Sequence, residues 1–141
     1  FEERLERHIE FCARYRETAG LLLLDMDGLK AVNDREGYGA GDELLRAAAS
    51  GLRAALRASD DLARYGGDEF AALLPRADRD GLAAAAARAV SRDAGFTLSA
   101  GGVLVDGRVG WAKLVDEAWT RVRSAKRRGG GAWDCGEESI A

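Results

Sequence analysis

Arg64-Tyr65-Gly66-Gly67-Asp68-Glu69-Phe70 reads as the tip of a β-hairpin, and the rest of the chain arranges itself around it. Leu62-Ala63-Arg64-Tyr65 is one strand-like run, and Phe70-Ala71-Ala72-Leu73-Leu74 is the return, stopped by Pro75. Adjacent glycines between two such runs signal a hairpin, because glycine takes positive φ at no steric cost. Asp68 and Glu69 follow the glycines directly, and side-by-side carboxylates repel unless solvent or a cation compensates them. Gly66 and Gly67 also leave the backbone bare for a bulky anion. Mg²⁺ takes one or two carboxylates plus phosphate oxygens, so the tip suits a metal-bound nucleotide phosphate. The bland alternative is an exposed turn with a solvated acidic tip.

The 141 residues make one domain, large enough for a sizeable core. A hydrophobic fraction of 47% with 32% charged residues is ordinary for a globular protein. The net charge of −3 gives no electrostatic case for nucleic acid or an acidic membrane. Two cysteines, Cys12 and Cys135, form no disulfide framework, which fits a reducing cytoplasm. No apolar run reaches membrane-spanning length. The chain opens at Phe1 directly into a helical pattern, so it reads as a piece of a longer protein.

Phe1, Leu5, Ile9 and Cys12 recur at helical spacing and predict a helix over Phe1–Arg16. The single histidine, His8, lies beside that stripe and reads as a surface or packing residue. Leu21-Leu22-Leu23-Leu24, between Gly20 and Asp25, predicts a buried strand. Along an extended chain Asp25 and Asp27 point the same way; at a strand exit they can hold a cation, cap a helix or sit in water. Leu29–Val32 predicts one or two helical turns, and Asn33–Asp42 reads as a loop. Leu45, Ala48, Leu52 and Leu56 predict a core-facing helix over Asp42–Arg57, with Asp42 as its plain N-cap. Asp80–Arg92 is alanine-rich and helical, with only a short connection from Arg92 to Phe96. The alternating run from Phe96 to Val105 reads as strand. Trp111–Arg128 reads as a helix with a basic end. Ala132–Cys135 predicts a last strand, and residues 136–141 read as a loose tail. The pattern is an α/β sandwich with helices over one sheet.

These residues resemble the GGDEF family of diguanylate cyclases. Beside the hairpin signature, Asp25-x-Asp27-x-x-Lys30-x-x-Asn33-Asp34-x-x-Gly37-x-x-x-Gly41-Asp42 matches the first half of the family pattern, and the strand Ser99-Ala100-Gly101 and the Asp42-to-Gly66 spacing fit too. The resemblance implies an α+β nucleotidyl-cyclase fold like the palm of DNA polymerases: a central, mostly antiparallel sheet flanked by helices. It implies condensation of two GTP into cyclic di-GMP with release of two pyrophosphates. Two Mg²⁺ (or Mn²⁺) per site would be held by Asp25, the Met26 carbonyl, Asp68 and Glu69, with Asp68 also the family's proposed general base. Gly66 and Gly67 would give the nucleotide room, and Asn33 and Asp42 would read guanine. A carboxylate pairs with guanine N1–H and N2–H₂ but meets a lone pair at adenine N1. Lys30, Arg123 and Arg127 would meet phosphates, or a shifted register would put Lys126 there.

Since each domain binds one GTP and the product has two identical linkages, the resemblance implies a homodimer with two-fold symmetry, controlled by an attached sensory or receiver domain. The parent protein can be membrane-anchored. Arg57-x-x-Asp60 has the spacing of the family's inhibitory product site, with Arg88 as its second arginine; alone it would be an ion pair at a helix end. Several positions depart from the family pattern. Gly28 and Leu29 replace bulkier residues and would loosen a covering loop, Tyr38 replaces a common His, and the family's N-terminal segment is missing before Phe1. A domain that binds GTP or cyclic di-GMP without turnover is the alternative function.

Overall fold

The computed structural model describes residues 1–90, 95–136 and the backbone of 138–140. The predicted helix end at Arg92 and the connection from it to Phe96 lie outside the described residues. In order, the elements are α1 (Glu2–Tyr15), β1 (Ala19–Met26), α2 (Leu29–Glu36), α3 (Tyr38–Ala55), β2 (Asp61–Arg64), β3 (Glu69–Leu74), α4 (Arg79–Val90), β4 (Leu98–Val105), α5 (Trp111–Arg127), β5 (Trp133–Cys135) and β6 (Glu138–Ile140). They build one six-stranded sheet in the order β2-β3-β1-β4-β5-β6. All neighbours are antiparallel except β4 and β5, which run parallel. This is the mostly antiparallel, helix-flanked sheet of the α+β palm.

The four consecutive leucines of β1 are explained by helices on both faces of the sheet. Leu21 and Leu23 pack with α1 and α5, and Leu22 and Leu24 with α2, α3 and α4. All four are fully buried. Each contributes roughly 1.5–3 kcal/mol by leaving water. A strand covered on both sides shows a continuous apolar run rather than alternation.

Two boundaries differ from the sequence reading. Asn33–Glu36 continue α2 instead of forming a loop, and only Gly37, at φ 87°, breaks the chain before α3. A helix therefore begins at Tyr38, four residues before Asp42, and Asp42 is a helix-interior residue rather than an N-cap. At the other end, Glu138–Ile140 are not loose: they pair antiparallel with β5. Leu29, expected in a loosened loop, is buried in the core beside Leu45. Cys12 and Cys135 are both buried. Among the described residues no helix is long and apolar enough to cross a membrane.

The α5 helix lies close on β4 because Gly101 has no side chain. A Cβ there would overlap the Ala118 carbonyl and come within 2.6 Å of the Val122 nitrogen, both backbone atoms of α5. Backbone cannot rotate away as a side chain can. Gly101→Ala is expected to destabilise the domain by about 3 kcal/mol and to lower the midpoint of thermal unfolding, followed by circular dichroism, by roughly 10 °C. A midpoint within 2 °C of the parent would show that α5 can move off the sheet.

Candidate active site

The end of β1 meets the hairpin tip. Asp25 stands opposite Glu69 on β3 and opposite Ser99 on β4, and Met26 N donates to the Asp68 carbonyl at 3.0 Å. The tip closes through Tyr65 N to Glu69 O at 2.8 Å and Gly66 N to Glu69 O at 3.3 Å. Arg64 braces it by donating to the carbonyls of Gly66 and Gly67. Neither Gly66 nor Gly67 has positive φ. A Cβ on Gly66 would overlap Glu69 Oε1, which folds back over the glycine, so the Glu69 side chain would have to swing aside. Tyr65 anchors the base of the loop. Its ring meets Phe1 edge-on at 5.9 Å and Trp119 of α5 at 5.9 Å.

Asp25 and Asp27 share a side of the strand exit but have opposite characters. Burial alone would push the Asp27 carboxyl up. The hydrogen bonds it accepts outweigh that and hold it below the usual range: Thr97 Oγ1 at 2.6 Å, Gly131 N at 2.9 Å, Ser99 Oγ at 2.8 Å and Lys126 Nζ at 3.0 Å. Asp27 is thus a satisfied carboxylate that ties β1 to the entry of β4 and the exit of α5. Asp25 is the reverse. Burial pushes its pKa up to about 7; Lys126 pulls it down, while Asp68 and Glu69 raise it further. Its Oδ1 is buried and, among the described residues, accepts no hydrogen bond. The neighbouring cation is Lys126, with Nζ 3.6 Å from Asp25 Oδ1 and 3.4 Å from the Met26 carbonyl.

A half-buried carboxylate with one buried, unsatisfied oxygen, facing two more acids, has the chemistry of a divalent-cation site. Among the described residues no three His, Cys, Asp or Glu side chains form a ready metal cage. Mg²⁺ takes few protein ligands and completes its shell with water and phosphate oxygens. Asp25, Asp68, Glu69 and the Met26 carbonyl fit as its protein donors.

The guanine-reading candidates also come together. Asn33 Oδ1 is buried without a hydrogen-bond partner, and a Cβ on Gly41 would overlap it. Asp42, the next residue, is exposed on α3, as is Lys30 on α2. At the basic end of α5, Lys126 faces the carboxylates of Asp25 and Asp27. Ala118, Val122 and Ala125 are buried, which turns Lys126 toward β1, whereas Arg123 is exposed and donates to Thr120 Oγ1 at 3.1 Å and Arg127 is exposed. Lys126 is therefore the α5 cation brought to the carboxylates. Sequence reasoning ranked it second because cations crowd that segment; the spacing of the small buried residues was the usable signal.

Arg57, Asp60 and Arg88 line one cavity of about 320 Å³ on the opposite side of β2 from the tip. Asp60 is only 4% exposed. It accepts from Arg57 N at 2.8 Å and stands 3.5 Å from Arg57 Nη2. Arg88 Nε donates to the Ala55 carbonyl at 3.0 Å.

Comparison with known proteins bears on this arrangement. The family described as "Diguanylate cyclase, GGDEF domain" matches residues 1–132. The crystal structure of the GGDEF domain of TpbB (YfiN) from Pseudomonas aeruginosa superposes with a TM-score of 0.87 at 32% identity, covering 96% of this chain and 94% of that one. The diguanylate cyclase TpbB of P. aeruginosa strain UCBPP-PA14 is 47% identical over 74 residues, 52% of this chain and 17% of TpbB. This chain is thus much shorter than the curated relatives it matches. The coiled coil and GGDEF domain of DgcB from Caulobacter crescentus, solved in complex with c-di-GMP, gives a TM-score of 0.84 at 26% identity over 93% of this chain and 76% of that one. With the signature hairpin, the palm sheet and the match over residues 1–132 in agreement, this chain belongs to the GGDEF-domain family of diguanylate cyclases.

Proposed function

We propose that this domain condenses two GTP into cyclic di-GMP, with Mg²⁺ bound at the end of β1, in a two-fold dimer, and that product inhibits it. The observation that carries the reading is Asp25: a half-buried carboxylate with one buried, unsatisfied oxygen, raised to about 7 by burial and by Asp68 and Glu69 beside it. Such a site is incomplete without a cation. Bound Mg²⁺ would neutralise triphosphate charge and lower the pKa of the attacking hydroxyl.

The chain's own groups supply the rest. Asn33 and Asp42 accept from the guanine edge, and Asp42 leaves adenine unpaired. Lys126, held by Asp27, keeps a positive charge beside the place for the phosphates. Asp68 receives the proton of the 3′-hydroxyl as that oxygen bonds to the α-phosphorus and pyrophosphate departs. The hydroxyl comes from the opposite domain, so two domains must face each other before any bond forms. Control by an upstream sensory or receiver domain would act by setting that encounter.

The cavity beneath β2 serves as the product site. Arg57 donates to guanine O6 and N7, and Asp60 accepts from N1–H and N2–H₂. Binding there holds two domains with their hairpins apart.

The test is incubation of dimer-competent protein with GTP and Mg²⁺, with products separated by chromatography. Cyclic di-GMP is expected; bound GTP without turnover would favour the receptor alternative. Glu69→Gln and Asp25→Asn are expected to abolish synthesis with the fold retained. Undiminished synthesis by both would exclude this metal assignment.

Asp25→Asn also has an expected effect on stability. The folded pKa of Asp25 is about 7 against an ordinary 3.8, so the folded state holds the extra proton. The penalty for a charged Asp25 is absent below the lower value, grows as pH rises between the two, and is full above 7. In EDTA at pH 8, Asp25→Asn is expected to raise the melting temperature by roughly 5 °C, the gain shrinking as pH falls from 7 toward 4. A lower melting temperature at pH 8 would show that the acids are already compensated.

Substrate choice gives a further expectation. The unmodified domain should prefer GTP over ATP, and Asp42→Ser should narrow that preference by about tenfold or more. Equal use of both nucleotides by the parent would defeat the assignment of Asp42.

A further inference from the structure

We infer that Arg76 is a further ligand of the cavity beneath β2, and that its guanidinium takes a phosphodiester of the bound cyclic dinucleotide. The inference rests on the product-site reading above, and it assigns a residue that the Arg57-x-x-Asp60 motif does not contain.

Arg76 lines the same 320 Å³ cavity as Arg57, Asp60 and Arg88. The cavity's charges do not balance. Asp60 is already engaged by Arg57. Asp78 is occupied as well, accepting from Gly81 N at 2.7 Å at the start of α4. Three arginines thus face two engaged carboxylates. The N-terminal end of α4, a twelve-residue helix, adds its positive dipole end. Among the described residues Arg76 forms no ion pair or hydrogen bond through its side chain, unlike Arg57 and Arg88. Among the described residues the free cation of the cavity is therefore Arg76, and its unmet chemistry is an anion.

The backbone at Arg76 points to the same role. Ala77 N donates to the Leu74 carbonyl at 3.3 Å, closing a turn with Pro75 and Arg76 in the middle. Arg76 has φ 59° there. Proline followed by a positive-φ residue is the type II arrangement, whose third position favours glycine or asparagine. The other non-glycine residue at positive φ among those described is Arg16, where a helix ends, a common place for that conformation. Arg76 has no such excuse, and an outlier of this kind is grounds for seeking a role for its side chain. The turn is also firmly held. Arg57 Nη2 donates to the Pro75 carbonyl at 3.4 Å, and Thr18 Oγ1 donates to the Ala77 carbonyl at 2.7 Å. These bonds fix where the Arg76 side chain starts, so less conformational freedom must be lost when it grips a ligand.

The division of labour follows from chemistry. Arg57 and Asp60 match the donor and acceptor edges of guanine, but neither is spare for phosphate. A cyclic dinucleotide carries two phosphodiesters, and a planar guanidinium suits their paired oxygens.

The test is calorimetric titration of cyclic di-GMP into the parent chain, Arg57→Ala, Arg76→Gly and Arg76→Lys, with melting temperatures measured alongside. Arg76→Gly relieves the positive φ, so its melting temperature should be unchanged or higher while affinity falls at least tenfold. Arg76→Lys keeps the charge and should recover part of that loss. If Arg57→Ala loses binding but Arg76→Gly binds within twofold of the parent, the role of Arg76 is overturned and the product site stands. Weak binding by Arg76→Gly together with a lowered melting temperature would assign Arg76 to the turn alone and overturn the inference equally. A parent chain that binds no cyclic di-GMP would overturn both readings.

Discussion

Burying a carboxylate beside other carboxylates is unfavourable unless something positive joins them, and the end of β1 is built around that constraint. Two acids leave the same strand two residues apart. Asp27 is satisfied by the protein itself, through Thr97, Ser99, Gly131 and Lys126. Asp25 is left unsatisfied and drawn up toward neutral pH. The first acid locks three chain segments together; the second is held ready by that lock. Lys126 serves both, since a tethered ammonium near Asp25 softens the repulsion without filling the shell. A fully compensated Asp25 would make a more stable domain and a poorer cation site, the usual exchange of stability for function.

The leucine run makes this arrangement rigid. A one-residue slip of β1 would turn Asp25 away from Lys126 and into the opposite, apolar layer of the sheet. The register of β1 against β3 and β4 is therefore fixed, and with it the meeting of Asp25 with Glu69 and Ser99. The same logic explains the tip. Tyr65 wedges between Phe1 and Trp119, so the loop is held from both α1 and α5.

Much of this was legible in the sequence, and the gaps have identifiable causes. Apolar periodicity and the glycine pair located every strand from β1 to β5 and the helices between them. The α2–α3 boundary was misplaced because Asn33, Asp34 and three nearby glycines look like loop. Only Gly37 takes a conformation that breaks the helix, and composition cannot single it out. The two hairpin glycines were read as turn formers; their φ is ordinary, and the bare backbone at Gly66 is where the Glu69 side chain folds back. The register of α5 was obscured because Arg121, Arg123, Lys126, Arg127 and Arg128 all carry charge. The buried face of Ala118, Val122 and Ala125 resolves it. The condition of Arg76 was beyond sequence reasoning, since a positive φ in a Pro-containing turn leaves no mark when the residue is arginine.

The placement of the two sites limits how one can act on the other. Asp60 precedes β2 directly and Gly66 lies just past its end, so the four-residue strand Asp61–Arg64 separates the cavity from the tip. That is roughly 13 Å along the chain. Every residue of β2 is paired to β3, and β3 is paired in turn to the buried β1. A ligand in the cavity would have to strain a paired, packed sheet to move the tip locally, and close-packed interiors resist graded deformation. Rigid-body restraint of whole domains meets no such resistance. If product in the cavity controls synthesis, it does so by fixing where two domains sit, leaving the carboxylates of each as they are.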